Sequence, residues 1–108
     1  MTAATLRAAA TRLITAELAG DGAGACAVLY APLTATVDGR TCAQRWASRS
    51  KALLASPRRA RGLRADLRAV NGAAVTINGE YGEIALPQAL LNGRSRFYWT
   101  ANCWMLTR

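Results

Sequence analysis

The sequence predicts a small α+β domain, with about three helices packed on an antiparallel sheet of three to five strands. Three observations carry this. Apolar residues recur at helical spacing in three segments, each with start or stop signals. Short runs rich in Val, Ile, Tyr, Phe and Trp flank tight-turn residues such as Asn78-Gly79. The length, 108 residues, suits a single domain over 1–108. A chain of this size can bury about two-thirds of its unfolded surface without a disulfide or metal staple.

The first helix is predicted over residues 3–19. Leu6, Ala10, Leu13 and Ile14 share a face, Leu18 lies at its edge, and Gly20 stops it. GDGAGA, residues 20–25, reads as a linker. Phosphate-cradling glycine loops run from a strand into a helix, and here the order is reversed. ACAVLY at 25–30 reads as a strand interrupted by Pro32. LTATV at 33–37 reads as its continuation or a second short strand, and Asp38-Gly39 as a turn.

Thr41 and Gln44 form a capping-box pattern ahead of a helix over about 42–55. Its buried stripe is Cys42, Trp46 and Leu53, flanked by Ala43 and Leu54. Ser56-Pro57 starts the next helix as N-cap and first helical residue, and Asn71-Gly72 is a left-handed stop. Residues 73–86 read as a β-hairpin around Asn78-Gly79. Residues 87–91 read as one helical turn. RSRFYWTANCWMLTR is one long strand or a hairpin bending near Ala101-Asn102.

Charge is the feature that points to function. The net charge is +8, and residues 40–68 hold nine cations against Asp66 alone. The rest of the chain balances, with five cations and five acids. Arginine in place of lysine, and abundant alanine, are what GC-rich coding produces, but that bias does not remove acids from one segment. On a wheel of residues 57–70, Ala60, Leu63, Leu67 and Val70 share one arc. Arg58, Arg61, Arg64 and Arg68 share the opposite one, with Arg59 at the border. Like charges at i,i+3 and i,i+4 are unfavourable by roughly 1 kcal/mol in sum. Arg58 and Arg59 oppose the helix dipole, and Gly62 costs about 1 kcal/mol more in a helix interior. Local conflicts of this kind mark functional surfaces, although acids elsewhere in the fold would neutralise the row.

Arg45 and Arg49 flank Trp46 on the preceding helix. Trp46 at stripe spacing reads as core more readily than as a base-stacking residue. Arg94 and Arg96 precede Phe97, Tyr98 and Trp99. Alternation in a single strand puts Phe97, Trp99, Cys103 and Met105 on the core side, with Tyr98 and Trp104 opposite. GRSRFYW follows the glycine-basic-aromatic order of RNA-recognition sheets, but the required pattern is not met and the strand order differs.

The expectation is therefore a nucleic-acid-binding protein acting through phosphate contacts. Its candidate site residues are Arg45, Arg49, Arg58, Arg61, Arg64, Arg68, Arg94, Arg96 and Tyr98. The competing expectation is a small phage or mobile-element accessory protein or inhibitor that docks on an acidic protein surface. A structural subunit of a viral or secretion assembly is a third. With no histidine and six scattered acids, neither an enzyme nor a metal or cofactor site is expected. Cys26, Cys42 and Cys103 read as reduced, buried thiols of a cytoplasmic protein, and no apolar run is long enough for a membrane span.

Overall fold

Thr2 caps the first helix, α1 (Ala3–Ala19), in a reciprocal box with Thr5. Leu6, Ala9, Ala10, Leu13 and Ile14 are all fully buried on it. This burial is wider than one stripe because α1 lies between the sheet and the other helices. Its small residues let both sides approach. Arg7 clamps it further, donating from Nε and Nη2 to the Ala73 carbonyl at 3.3 and 2.8 Å.

The structure is a computed structural model and describes residues 1–88 and 94–107. Its α-helices are α1, α2 (Gly22–Cys26), α3 (Cys42–Leu54) and α4 (Pro57–Ala69). They pack on a four-stranded antiparallel sheet of β1 (Val75–Asn78), β2 (Tyr81–Ala85), β3 (Arg94–Thr100) and β4 (Cys103–Leu106), in the order β1-β2-β3-β4. The α+β class is as the sequence predicts. No helix among the described residues is long and apolar enough to cross a membrane.

Three local readings are corrected. Residues 20–25 are not a plain linker. Asp21 accepts the Gly24 N–H at 2.9 Å and caps the short helix α2. Gly22 is what lets α2 seat on α3, since a Cβ there would stand 2.0 Å from the Ala43 carbonyl oxygen. The strands expected at 25–30 and 33–37 do not form. Their content shrinks to one parallel bridge of Leu29 to Leu106, a 3-10 turn at Ala31–Thr34, and a bridge of Val37 to Arg40 around Asp38-Gly39. Tertiary position overrides β-propensity here: residues 22–26 are drawn into α2 against α3, and the segment touches the β4 edge only at Leu29. The thiols of Cys26 and Cys42 are not free either. They form a disulfide that ties α2 to α3 across 16 positions, a closure worth roughly 3 kcal/mol by chain entropy. Cys103 is free and half-buried.

Other signals hold with adjustments. The Thr41–Gln44 box and the Ser56 cap with Pro57 at the helix start are both present. Cys42 and Ser50 are the buried residues of α3, with Trp46 half-buried against the core. Past α4 the chain tightens into a 3-10 turn, Val70–Gly72, instead of a left-handed stop. The first hairpin turns through Gly79-Glu80, one residue beyond the Asn78-Gly79 pair, since Asn78 faces Tyr81. The helical turn expected at 87–91 reaches beyond the described residues.

The final segment is a hairpin. Ala101 and Asn102 both take positive φ, 51° and 61°, the requirement of a type I′ loop. The two-residue loop sets Trp99 opposite Trp104 and Phe97 opposite Leu106. Side-chain parity therefore flips relative to a single strand. Trp104 becomes core, its Nε1–H donating to Thr5 Oγ1 at 3.0 Å. Alanine is poorly suited to the left-handed region. Ala101→Gly is expected to stabilise the fold by about 1 kcal/mol, read as a higher urea midpoint.

Candidate nucleic-acid interface

The cap at Ser56 fixes the phase of α4. Ala60, Leu63 and Asp66 turn inward, while Arg58, Arg59, Arg61, Arg64 and Arg68 are exposed. Among the described residues, no carboxylate stands within ion-pair distance of Arg58, Arg61, Arg64 or Arg68. The acids are placed elsewhere. Asp21 caps α2, and Asp38 sits in a turn at φ 51°. Glu80 accepts from the Tyr98 hydroxyl at 3.2 Å, and Glu83 faces Arg96 at 3.8 Å. Asp66 is fully buried and its Oδ1 accepts the Gln88 N–H at 2.7 Å. Asp66 gives the row no relief because it points the other way.

The α3 arginines do not join the row. Arg45 Nη2 donates to the carbonyls of Leu33, at 3.1 Å, and Ala35. It thereby fastens the loop after the 3-10 turn. Arg49 lies over the Trp46 ring, 4.8 Å from its centroid, and its Nε is 3.9 Å from Glu17 Oε1. Both arginines hold the fold together, so the candidate surface on the helices contracts to α4.

Arg96 and Tyr98 belong to a different surface. They lie on the outer face of the sheet, turned away from the core face that carries Phe97 and Trp104. Tyr98 meets Tyr81 and Tyr30 at centroid distances of 5.0 and 5.3 Å, and Arg96 covers Tyr81 at 5.1 Å. The hydrogen bond to Glu80, reinforced by its charge, raises the Tyr98 phenol above its ordinary range. Tyr30 and Tyr81 had no sequence signal as a group, since they come together only across the sheet. The backbone of Arg94 pairs with Ala85, and its side chain lies outside the described residues.

A third feature lies between the helices. A cleft of about 430 Å³ is lined by Glu17, Arg49, Leu53, Arg59, Leu63 and Asp66, among others. Glu17 is 1% exposed. Neither of its carboxylate oxygens accepts a hydrogen bond, and Arg49 Nε, its ion-pair partner at 3.9 Å, makes none either. Burial raises the Glu17 carboxyl above its ordinary value, and Arg49 opposes this only in part. The folded protein therefore holds the proton more tightly than the unfolded chain. Stability from this group is full below the ordinary glutamate value of 4.5 and is lost as pH rises through the folded value. Glu17→Gln is expected to flatten that decline and to raise the neutral-pH urea midpoint, with little change at about pH 4. Among the described residues, no group of three or more His, Cys, Asp or Glu is placed to hold a metal ion.

Glu17 was legible in principle. It continues the buried run Ala10, Leu13, Ile14 at helical spacing, as Asp66 continues the run from Leu63. An acid at a stripe position is a signal of a buried carboxylate. Comparisons with known proteins return no match: no family model, no curated protein and no solved structure resembles the chain closely enough to carry an assignment.

Proposed function

We propose that the protein binds nucleic acid through the exposed arginine row of α4. The observation that carries this reading is the row itself. Arg58, Arg61, Arg64 and Arg68 project from one helix, and the described acids are placed where they do not neutralise it. Unpaired guanidinium groups in file match the repeating phosphates of a polyanion, each gripping with paired hydrogen bonds. Binding proceeds by charge neutralisation with counterion release, and affinity falls with salt. The tyrosine face with Arg96 offers base stacking on a separate side.

The test is titration of fluorescent single-stranded and duplex DNA and RNA across a salt series. Binding at low salt that weakens linearly on a log–log plot is expected, and no binding even at low salt overturns the reading. A cytoplasmic location goes with it. Reducing conditions there oppose the Cys26–Cys42 bond, so binding is expected to survive reductant. The second reading is an accessory protein or inhibitor that docks on an acidic protein surface. Tyr30, Tyr81, Tyr98 and Arg96 are residue types enriched at interfaces. Nuclease-insensitive capture of one acidic protein would favour it.

A further inference from the structure

An antiparallel sheet with one face in water carries polar side chains on that face, because alternation sends the apolar ones to the core. The outward positions of this sheet depart from that pattern. The register sets Tyr81 opposite Tyr98 and Tyr98 opposite Met105, so the three form a row across β2, β3 and β4. Tyr30 packs edge-on against Tyr98 at its border. The alternate positions Gly82, Phe97, Trp104 and Leu106 are buried on the core side. On the outward side Tyr81 is 46% exposed, and Tyr98 and Met105 are half-buried. A row of aromatic and thioether side chains in the middle of an open sheet face marks a surface that another molecule covers.

We propose that the outer sheet face is the interface of a two-fold homodimer, with a second copy of this chain as its cover. Charge selects that occupant. The chain carries +8, and the excess lies in residues 40–68, which form α3 and α4 in the helix layer. The tyrosine row is bordered instead by both signs, Glu80 and Glu83 with Arg96. Two copies of a strongly basic chain therefore meet there without the repulsion they would feel elsewhere. The same two carboxylates repel a phosphate backbone and an acidic protein surface alike. A face holding both signs is self-complementary about a two-fold axis, as an isologous contact requires. Tyrosine, methionine and arginine are also the residue types enriched in such contacts. The available area sets the strength. Four strands about 4.8 Å apart present roughly 400 Å² in projection, or about 1,000 Å² of accessible surface over two copies, the low end for a specific interface. The dimer is accordingly weak and reversible.

Sedimentation equilibrium of the nuclease-treated protein tests this, at about 0.5 M salt so that phosphate binding is screened. Over about 1 to 500 µM protein, a monomer–dimer equilibrium with a micromolar dissociation constant is expected. Tyr81→Lys puts like charges on both sides of the axis and is expected to weaken the dimer at least about 10-fold. Tyr81 is exposed, so this variant keeps its fold, which a urea titration checks. Replacing Arg61, Arg64 and Arg68 by alanine is expected to leave the dimer unchanged, which makes this inference independent of the α4 row. A single-stranded oligonucleotide added at low salt is expected to leave the dimer whole. The proposal fails if the wild type stays monomeric over the whole range or if Tyr81→Lys dimerises equally well. It fails too if the oligonucleotide splits the dimer, which would give the face to bases.

Discussion

Replacing Arg61, Arg64 and Arg68 together by alanine is expected to lower nucleic-acid affinity by about 100-fold at physiological salt. Three charge-assisted phosphate contacts at about 1 kcal/mol each sum to about 3 kcal/mol, and each 1.4 kcal/mol is tenfold. The slope of log affinity against log salt should become shallower by about 3, since each neutralised phosphate contributes about 0.9 on duplex DNA. The loss should be nearly uniform across sequences, because phosphate contacts carry no base information. The fold should not suffer. All three side chains are exposed, and removing like-charge neighbours one helical turn apart is worth up to about 1 kcal/mol of stability. Fluorescence anisotropy gives the affinities and a urea titration checks the fold. A variant that binds as tightly as wild type, with an unchanged slope, would move the interface away from α4.

Gly22→Ala is expected to be the most damaging single substitution, at about 3 kcal/mol or more. The added Cβ would meet the Ala43 carbonyl oxygen at 2.0 Å and the Ala47 nitrogen at 3.0 Å. Both are backbone atoms of α3, which cannot rotate aside as a side chain would. The Cys26–Cys42 bond pins the same two helices, so α2 cannot simply swing outward. Strain must pass into α3, which carries Trp46 against the core and Arg49 beside Glu17. A urea midpoint close to wild type would show that α2 seats less tightly on α3 than this contact requires. Gly22→Ala should also loosen the helix cleft, whereas the outward row on α4 should keep its phosphate contacts once folded.

Much of the fold follows from local rules. The boundaries of α1, α3 and α4 come from caps and apolar spacing that act within a few residues: Thr2, Thr41 and Ser56 at the starts, Gly20 at the first stop. The outward direction of Arg58, Arg61, Arg64 and Arg68 follows from the same periodicity. The misread segments are those where a distant neighbour decides. ACAVLY has strand composition, yet Ala25 and Cys26 complete a helical turn because α3 lies alongside. Three widely spaced cysteines specify no pairing by count or spacing, and only packing brings Cys26 to Cys42. Trp104 changed sides because a two-residue turn reversed the parity of the strand after it.

The candidate sites divide the same way. The arginine row is a property of one helix, so the sequence by itself determined its membership, spacing and face. Whether acids would neutralise it was a question about all six carboxylates at once. The stripe position of Asp66 already pointed it inward, but only the tertiary structure gave it the Gln88 N–H as a donor and set Glu83 beside Arg96. The same holds for the withdrawal of Arg45 to loop carbonyls, the tyrosine group on the sheet and the pairing of Glu17 with Arg49. Periodicity acts between residues three or four apart on one helix. Charge pairing, ring stacking and desolvation act through space between residues well separated along the chain, and those distances exist only once the chain has packed.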